Sequence, residues 1–276
     1  MVFTYKKWDS FCKKLKDKHL TSIPACEVGA SSDSFVVLKH DVETDVCKAY
    51  RMAQIENEYG HRGSYYVQAS LLKDAKNIEL LRQMQKLGHE ISYHYDVMDS
   101  QKGNLDLAIA EFEDNRALFE QNGFAIRTVC QHGNPIVERV GYTSNRDFFR
   151  SRRVRTRYSE ISDIMVNFKE MVNVDYDYFS DAGRKFKMIF DPINNDINSS
   201  ETKDIPYEDL DELCDAITAE KNAIISTHPH RWCSNAVVYT IKNIFFKTAK
   251  SIAKIMIKIP FLRKLMSRYY YLAKKI

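Results

Sequence analysis

"SFVVLKHDVETDVCKAYRMAQIENEYGHRGSYYV", residues 34–67, carries the reading of the fold. A β-branched apolar run ends on His40 and Asp41, an amphipathic stretch follows to Gly60, and a second apolar run begins at Ser64. Strand, helix, glycine and strand in that order predict a parallel βαβ unit. The pattern recurs. "NIELLRQMQKLG" reads as a helix closed at Gly88 and "HEISYHY" as a strand, then "LDLAIAEFEDNRALFEQNG" as a helix closed at Gly123 and "AIRTVCQH" as a strand. The second half is less regular, with strands expected near Ile164 to Val166, Met171 to Asp175 and Phe186 to Phe190. A helix from Tyr207 to Glu220 then precedes the strand "NAIISTH". The expected class is α/β, a (β/α) barrel.

At 276 residues, 44% of them hydrophobic, the chain can bury a large core, which excludes a disordered chain. Six cysteines at 12, 26, 47, 130, 214 and 233 form no CxxC pair and follow no signal-like segment. They read as reduced core residues of a cytoplasmic protein rather than a metal cluster. Charge is uneven: after Glu220 there are twelve Lys and Arg and no Asp or Glu, so a mildly acidic body precedes a basic tail.

Catalytic groups of parallel α/β folds gather at the carboxyl ends of strands. Five of the eight histidines, His40, His94, His132, His228 and His230, fall at such ends, with Asp41 beside the first. Imidazoles and a carboxylate converging at one end of a sheet suit zinc or a similar divalent ion. His89, at the start of its strand, belongs to the opposite end and reads as structural, and His19 and His61 read as loop residues.

"LKHDVETD", "GSYYV", "GHEISYHYD" and "ISTHPHRW" together resemble the polysaccharide deacetylases, the NodB-like group of carbohydrate esterase family 4. The closer likeness is to the divergent HDVD-type branch of surface-polysaccharide biosynthesis, over roughly residues 35 to 232. The resemblance implies a distorted seven-stranded NodB-like barrel over residues 1–235. It implies a metal-dependent deacetylase that removes an N-acetyl, or less often an O-acetyl, group from a sugar, with metal-bound water as nucleophile. Asp41 and His94 would be metal ligands. The usual second histidine falls at Met98, which cannot serve, and His132 in "CQHGNP" is the expected replacement. His40 takes the position of the usual base, with Glu43 and Asp181 as other candidates. Glu43 also suits the first turn of the following helix. His228 aligns with the general acid, and Asp181 and Arg184 in "YFSDAGR" with its supports. Tyr95, Asn134 and Trp232 are expected to line the glycan groove.

Residues 236–276 form a separate expectation. Ile241, Ile244, Phe245, Thr248, Ile252, Ile255, Met256 and Ile259 repeat at three and four, with Lys242, Lys247, Lys250, Lys254 and Lys258 around the rest of the circumference. This predicts an amphipathic helix lying on the inner face of a membrane, near a glycan substrate that could be lipid-linked. Nucleic acid is not an expected partner. Packing of the stripe on the body or on a second subunit is the plainer alternative. "RSRRVRTRY", residues 150–158, reads as a solvated loop. Two other functions stay open at this stage: a non-catalytic glycan-binding or scaffolding member of the same fold, and a glycosidase using two opposed carboxylates.

Overall fold

The computed structural model describes residues 2–29, 34–134, 137–197 and 204–256. One nine-stranded sheet runs through it, built from β1 (Val36–Val42), β2 (Gly63–Val67), β3 (Glu90–Tyr95), β4 (Thr128–Gln131), β5 (Ser162–Asp163), β6 (Asp177–Ser180), β7 (Lys187–Ile189), β8 (Ile205–Pro206) and β9 (Ala223–Thr227). The order is β5-β4-β3-β2-β1-β9-β6-β7-β8. The seven strands from β5 to β6 are all mutually parallel, and β7 and β8 add an antiparallel edge. The expected mixed α/β class and seven parallel strands are present. The expected barrel closure is not: among the described residues β5 and β8 are edges of an open ladder.

The crossovers are the helices Val46–Glu58, Ala75–Lys86 and Leu105–Gln121. Asp45, Asp74 and Asn104 cap them, each side chain accepting a first-turn backbone N–H. Gly63 opens β2 because a Cβ there would lie 2.7 Å from the Leu38 carbonyl oxygen. Gly88 turns the chain into β3 at φ +90°, where a side chain would also meet Arg62.

The sheet's two faces are different in kind. On one, the helices bury Leu38, Val42, Tyr65, Val67, Ile91, Tyr93 and Val129. The N-terminal helix Tyr5–Asp17 joins that layer through Trp8, Phe11, Cys12 and Leu15, at the i, i+3, i+4, i+7 spacing of one helical face. Burying each large apolar side chain there contributes about 1.5–3 kcal/mol. The other face carries Val37, Tyr66, Cys130, Ile224, Tyr178 and Ile189, covered by Ile164, Met165 and Phe168 from the second half of the chain. Above this smaller cluster, toward the carboxyl ends of the strands, the same face turns polar.

Two local expectations change. Met171 and Val172, the start of the expected strand 171–175, instead end a short helix, Phe168–Val172, that buries Phe168 and Val172 one turn apart and stops at Asn173 in the left-handed region. The arginine-rich stretch is largely the helix Arg152–Arg157 rather than a loop. The acidic body explains this, since Arg153, Arg155 and Arg157 pair with Asp106, Glu170 and Glu113. Residues 257–276 of the expected tail lie outside the described residues.

Candidate functional site

Strand alternation decides which residues of each motif reach the polar face. On β1, Lys39 and Asp41 point to it and His40 points away. On β3 His94 points to it and Tyr95 points away. Lys39, Asp41, Glu43, His94, Cys130, Gln131, Arg146, Ser226 and His228 line one pocket at the carboxyl ends of β1, β3, β4 and β9. Larger surface hollows along residues 166–177 contain no imidazole among their lining residues.

His94 is buried, and its Nδ1 donates to the Cys130 carbonyl oxygen at 3.0 Å. That bond leaves the lone pair of the neutral ring on Nε2, which has no hydrogen-bond partner among the described residues. Burial pushes the His94 pKa down to about 3 despite the nearby Asp41 carboxylate, so the ring is neutral near pH 7. His132 stands beside it, ring centroids 5.2 Å apart, with Nε2 3.4 Å from Glu43 Oε1. The backbone fixes His132: its N–H donates to the Tyr95 carbonyl oxygen at 2.7 Å, and its own carbonyl accepts from the buried Asn145 side chain at 2.8 Å.

Glu43, His94 and His132 each bring one donor atom within 4.8 Å of the others, as do Asp41, His94 and Cys130. Chemistry separates the two sets. Both Asp41 oxygens receive the buried Lys39 ammonium, at 2.6 and 2.7 Å, and Lys39 also donates to Ser226. Burial alone would raise the Asp41 carboxyl, but Lys39, and after it His94 and His228, hold it well below the carboxylate range. Burial keeps the Cys130 thiol far above its ordinary pKa, and hence protonated. The set with two imidazoles and Glu43 is therefore the better donor group for a borderline divalent ion.

Opposite it stands a hydrogen-bonded His–Asp pair. Asp181, wholly buried at the end of β6, accepts from His228 Nδ1 at 2.6 Å and from the His228 backbone N–H at 3.0 Å. Arg231 Nη1 donates to Asp181 Oδ1 at 2.6 Å and to its carbonyl oxygen at 2.8 Å. Burial would raise the Asp181 carboxyl, but Arg231 and His228 keep it below its usual value and ionised. His228 Nε2 consequently faces the pocket, 3.8 Å from Asp41 Oδ2 and 4.0 Å from Glu43 Oε1.

Of the residues singled out from the sequence, Asp41, His94, His132, Asp181 and His228 meet around this pocket. His40 does not. It lies on the helix side of the sheet with Nδ1 2.7 Å from Thr227 Oγ1 and Nε2 2.9 Å from Glu56 Oε1, stacked on Tyr65. Tyr95 is turned into the apolar core, its hydroxyl donating to Asp163 at 2.5 Å. Trp232 packs between Phe3 and Trp8, fully buried. Arg184 lies over the Phe246 ring instead of on Asp181, the place that Arg231 takes. Asn134 sits beside the pocket residue Gly133, with its carbonyl accepting from Arg139. Met98 is buried in the core, and His89 spans Gly63 N–H and the Ala53 carbonyl as a structural residue.

Sequence reasoning passed over Lys39 and Arg231, and offered Glu43 as a candidate base or helix-start residue but not as a metal donor. Glu43 is two residues ahead of the Asp45 cap, so it belongs to the loop and not to the helix. Arg231 follows three residues after His228 inside an already conspicuous stretch, and Lys39 could have been found by counting back two from Asp41.

No family model and no curated protein matches the chain. Among solved structures it is similar to a mutant of the peptidoglycan deacetylase PdaC from Bacillus subtilis, at 11% identity over 82% of this chain and 98% of that one, with a TM-score of 0.38. A likeness that slight transfers no residue roles.

Proposed function

We propose that the chain is a metal-dependent hydrolase that removes an acetyl group from an amino sugar, in the service of surface-polysaccharide or lipopolysaccharide assembly. The observation that carries the reading is the pocket itself: a buried His94 imidazole nitrogen with no hydrogen-bond partner among the described residues shares it with a His228 whose Nδ1 Asp181, itself held by Arg231, engages. The donor set fits a divalent ion, zinc or a close relative, with Glu43, His94 and His132 as the holding residues. Such an ion, when bound, supplies Lewis acidity toward a carbonyl oxygen.

The chain's own residues supply the rest. Asp181 fixes the His228 ring by accepting from Nδ1, which leaves Nε2 to carry a proton to the departing amine. Arg231 keeps Asp181 ionised, so the carboxylate accepts from Nδ1 and orients the ring. Lys39 fixes the Asp41 carboxylate in place at the pocket wall, with Oδ2 3.8 Å from His228 Nε2.

One observation favours the non-catalytic reading. The Lys39 clamp on Asp41 engages the carboxylate that a deacetylase of the resembled kind commits to its metal. Acetate release decides between the two. Full-length protein supplied with zinc is expected to release acetate from N-acetylated oligosaccharides, and His228→Ala to lose that release while retaining metal. Metal uptake without acetate release from N- or O-acetylated glycans would leave glycan binding as the function.

A further inference from the structure

The last described helix, Ala236–Met256, presents two unlike faces. At about 100° per residue, Tyr239 and Phe246 fall on one side. Tyr239 is buried edge-on against Phe3 at 5.6 Å, and the Arg184 guanidinium lies 4.3 Å from the Phe246 ring centroid. That side is seated on the body. On the opposite side Val237, Ile241, Ile244 and Phe245 span an arc of about 100°. They are 64%, 63%, 61% and 54% exposed, a continuous apolar strip with no cover among the described residues.

We infer that this strip docks on an anionic lipid surface. The charge pattern selects that occupant. Lys242, Lys247, Lys250 and Lys254 are the charged residues of the helix, and no Asp or Glu follows Glu220 anywhere in the chain. Lys242 falls by helical phase next to Phe245 at the edge of the strip, where a cation can meet headgroups while the apolar side chains enter the acyl boundary. A second copy of the chain is a poorer occupant, because two such helices would set like charges against each other. No helix among the described residues is long and apolar enough to cross a membrane, so the contact is with the surface.

The same helix is fixed to the catalytic side of the body. Arg184, under Phe246, donates its backbone N–H to the Asp181 carbonyl at 2.9 Å. Docking of the strip thus sets the turn that bears Asp181 at a defined place relative to the lipid.

Sedimentation of the full chain with vesicles tests this. The protein is expected to pellet with phosphatidylcholine vesicles containing phosphatidylglycerol, to remain in the supernatant with phosphatidylcholine alone, and to be released by high salt. The exposed double variant Ile241→Asp, Phe245→Asp should stay soluble and folded by circular dichroism and lose vesicle binding, and Lys242→Glu should weaken it. Failure of the wild type to pellet with anionic vesicles overturns the inference, as does undiminished pelleting of the double variant. So does a concentration-dependent dimer in light scattering that the double variant abolishes while vesicles remain unbound, since the strip would then serve self-association.

Discussion

The two faces of the sheet each hold histidines against carboxylates, and they are built to opposite ends. On the helix side, Glu56 is wholly buried, accepts from Trp8 Nε1 at 3.0 Å and Tyr65 OH at 2.8 Å, and lies 2.9 Å from His40 and 3.7 Å from His89. Aromatic rings close around it. On the pocket side Asp181 holds His228 from behind at 2.6 Å, but across the pocket the imidazole–carboxylate separations are 3.4 to 4.0 Å, and the His94 Nε2 has no hydrogen-bond partner among the described residues. Polar groups gathered on one buried carboxylate and enclosed by aromatic rings are structure. Polar groups held apart around a shared space, each fixed from behind by a backbone or carboxylate partner, are prepared for something that enters between them.

The contrast can be broken by moving one residue at a time. The largest effect on turnover is expected from Asp181→Asn. It should lower acetate release by about 10²–10⁴-fold through loss of the His228 orientation, with metal content unchanged. A variant that keeps wild-type turnover would remove His228 from the proton-transfer role. On the helix side Glu56→Ala should cost about 3–5 kcal/mol in urea unfolding, because two donors, Trp8 and Tyr65, and the His40 ring lose a buried partner. Metal content per folded molecule should hold; if metal falls with stability, the two faces are coupled and the contrast is mistaken. The smallest effect belongs to Tyr95→Phe. Loss of its bond to Asp163 should cost about 1 kcal/mol and leave the KM for glycan unaltered, whereas a raised KM would return Tyr95 to the groove.

Much of this was legible before any coordinates. The three βαβ units follow from apolar runs punctuated by Gly60, Gly88 and Gly123, and parallel strands follow from the units. The convergence of His94, His132 and His228 follows from their place at strand ends. What failed was the assignment of faces. "HD" at 40–41 and "HY" at 94–95 are neighbours on a strand, so only one of each pair can enter the pocket, and the period of two sends Asp41 and His94 there together with Lys39. Trp232 and Arg184 could not be placed by such counting. Trp232 is claimed by a core that includes Phe3 and Trp8, more than 200 positions away in sequence. Arg184 is drawn off by Phe246. The helix Tyr5–Asp17 was passed over although Thr4, the capping residue, and the Trp8, Phe11, Cys12, Leu15 spacing were both present.

The most direct test of the account is metal content by elemental analysis, on full-length protein purified without chelator, for the wild type and the variants Glu43→Gln, His132→Ala and Asp41→Asn. Bound zinc or a similar ion, about one per chain, should be present in the wild type, lost in Glu43→Gln and His132→Ala, and retained in Asp41→Asn, whose carboxylate belongs to Lys39. Metal lost with Asp41→Asn and kept with Glu43→Gln would contradict it, and would mean that Lys39 gives up Asp41 when the ion arrives.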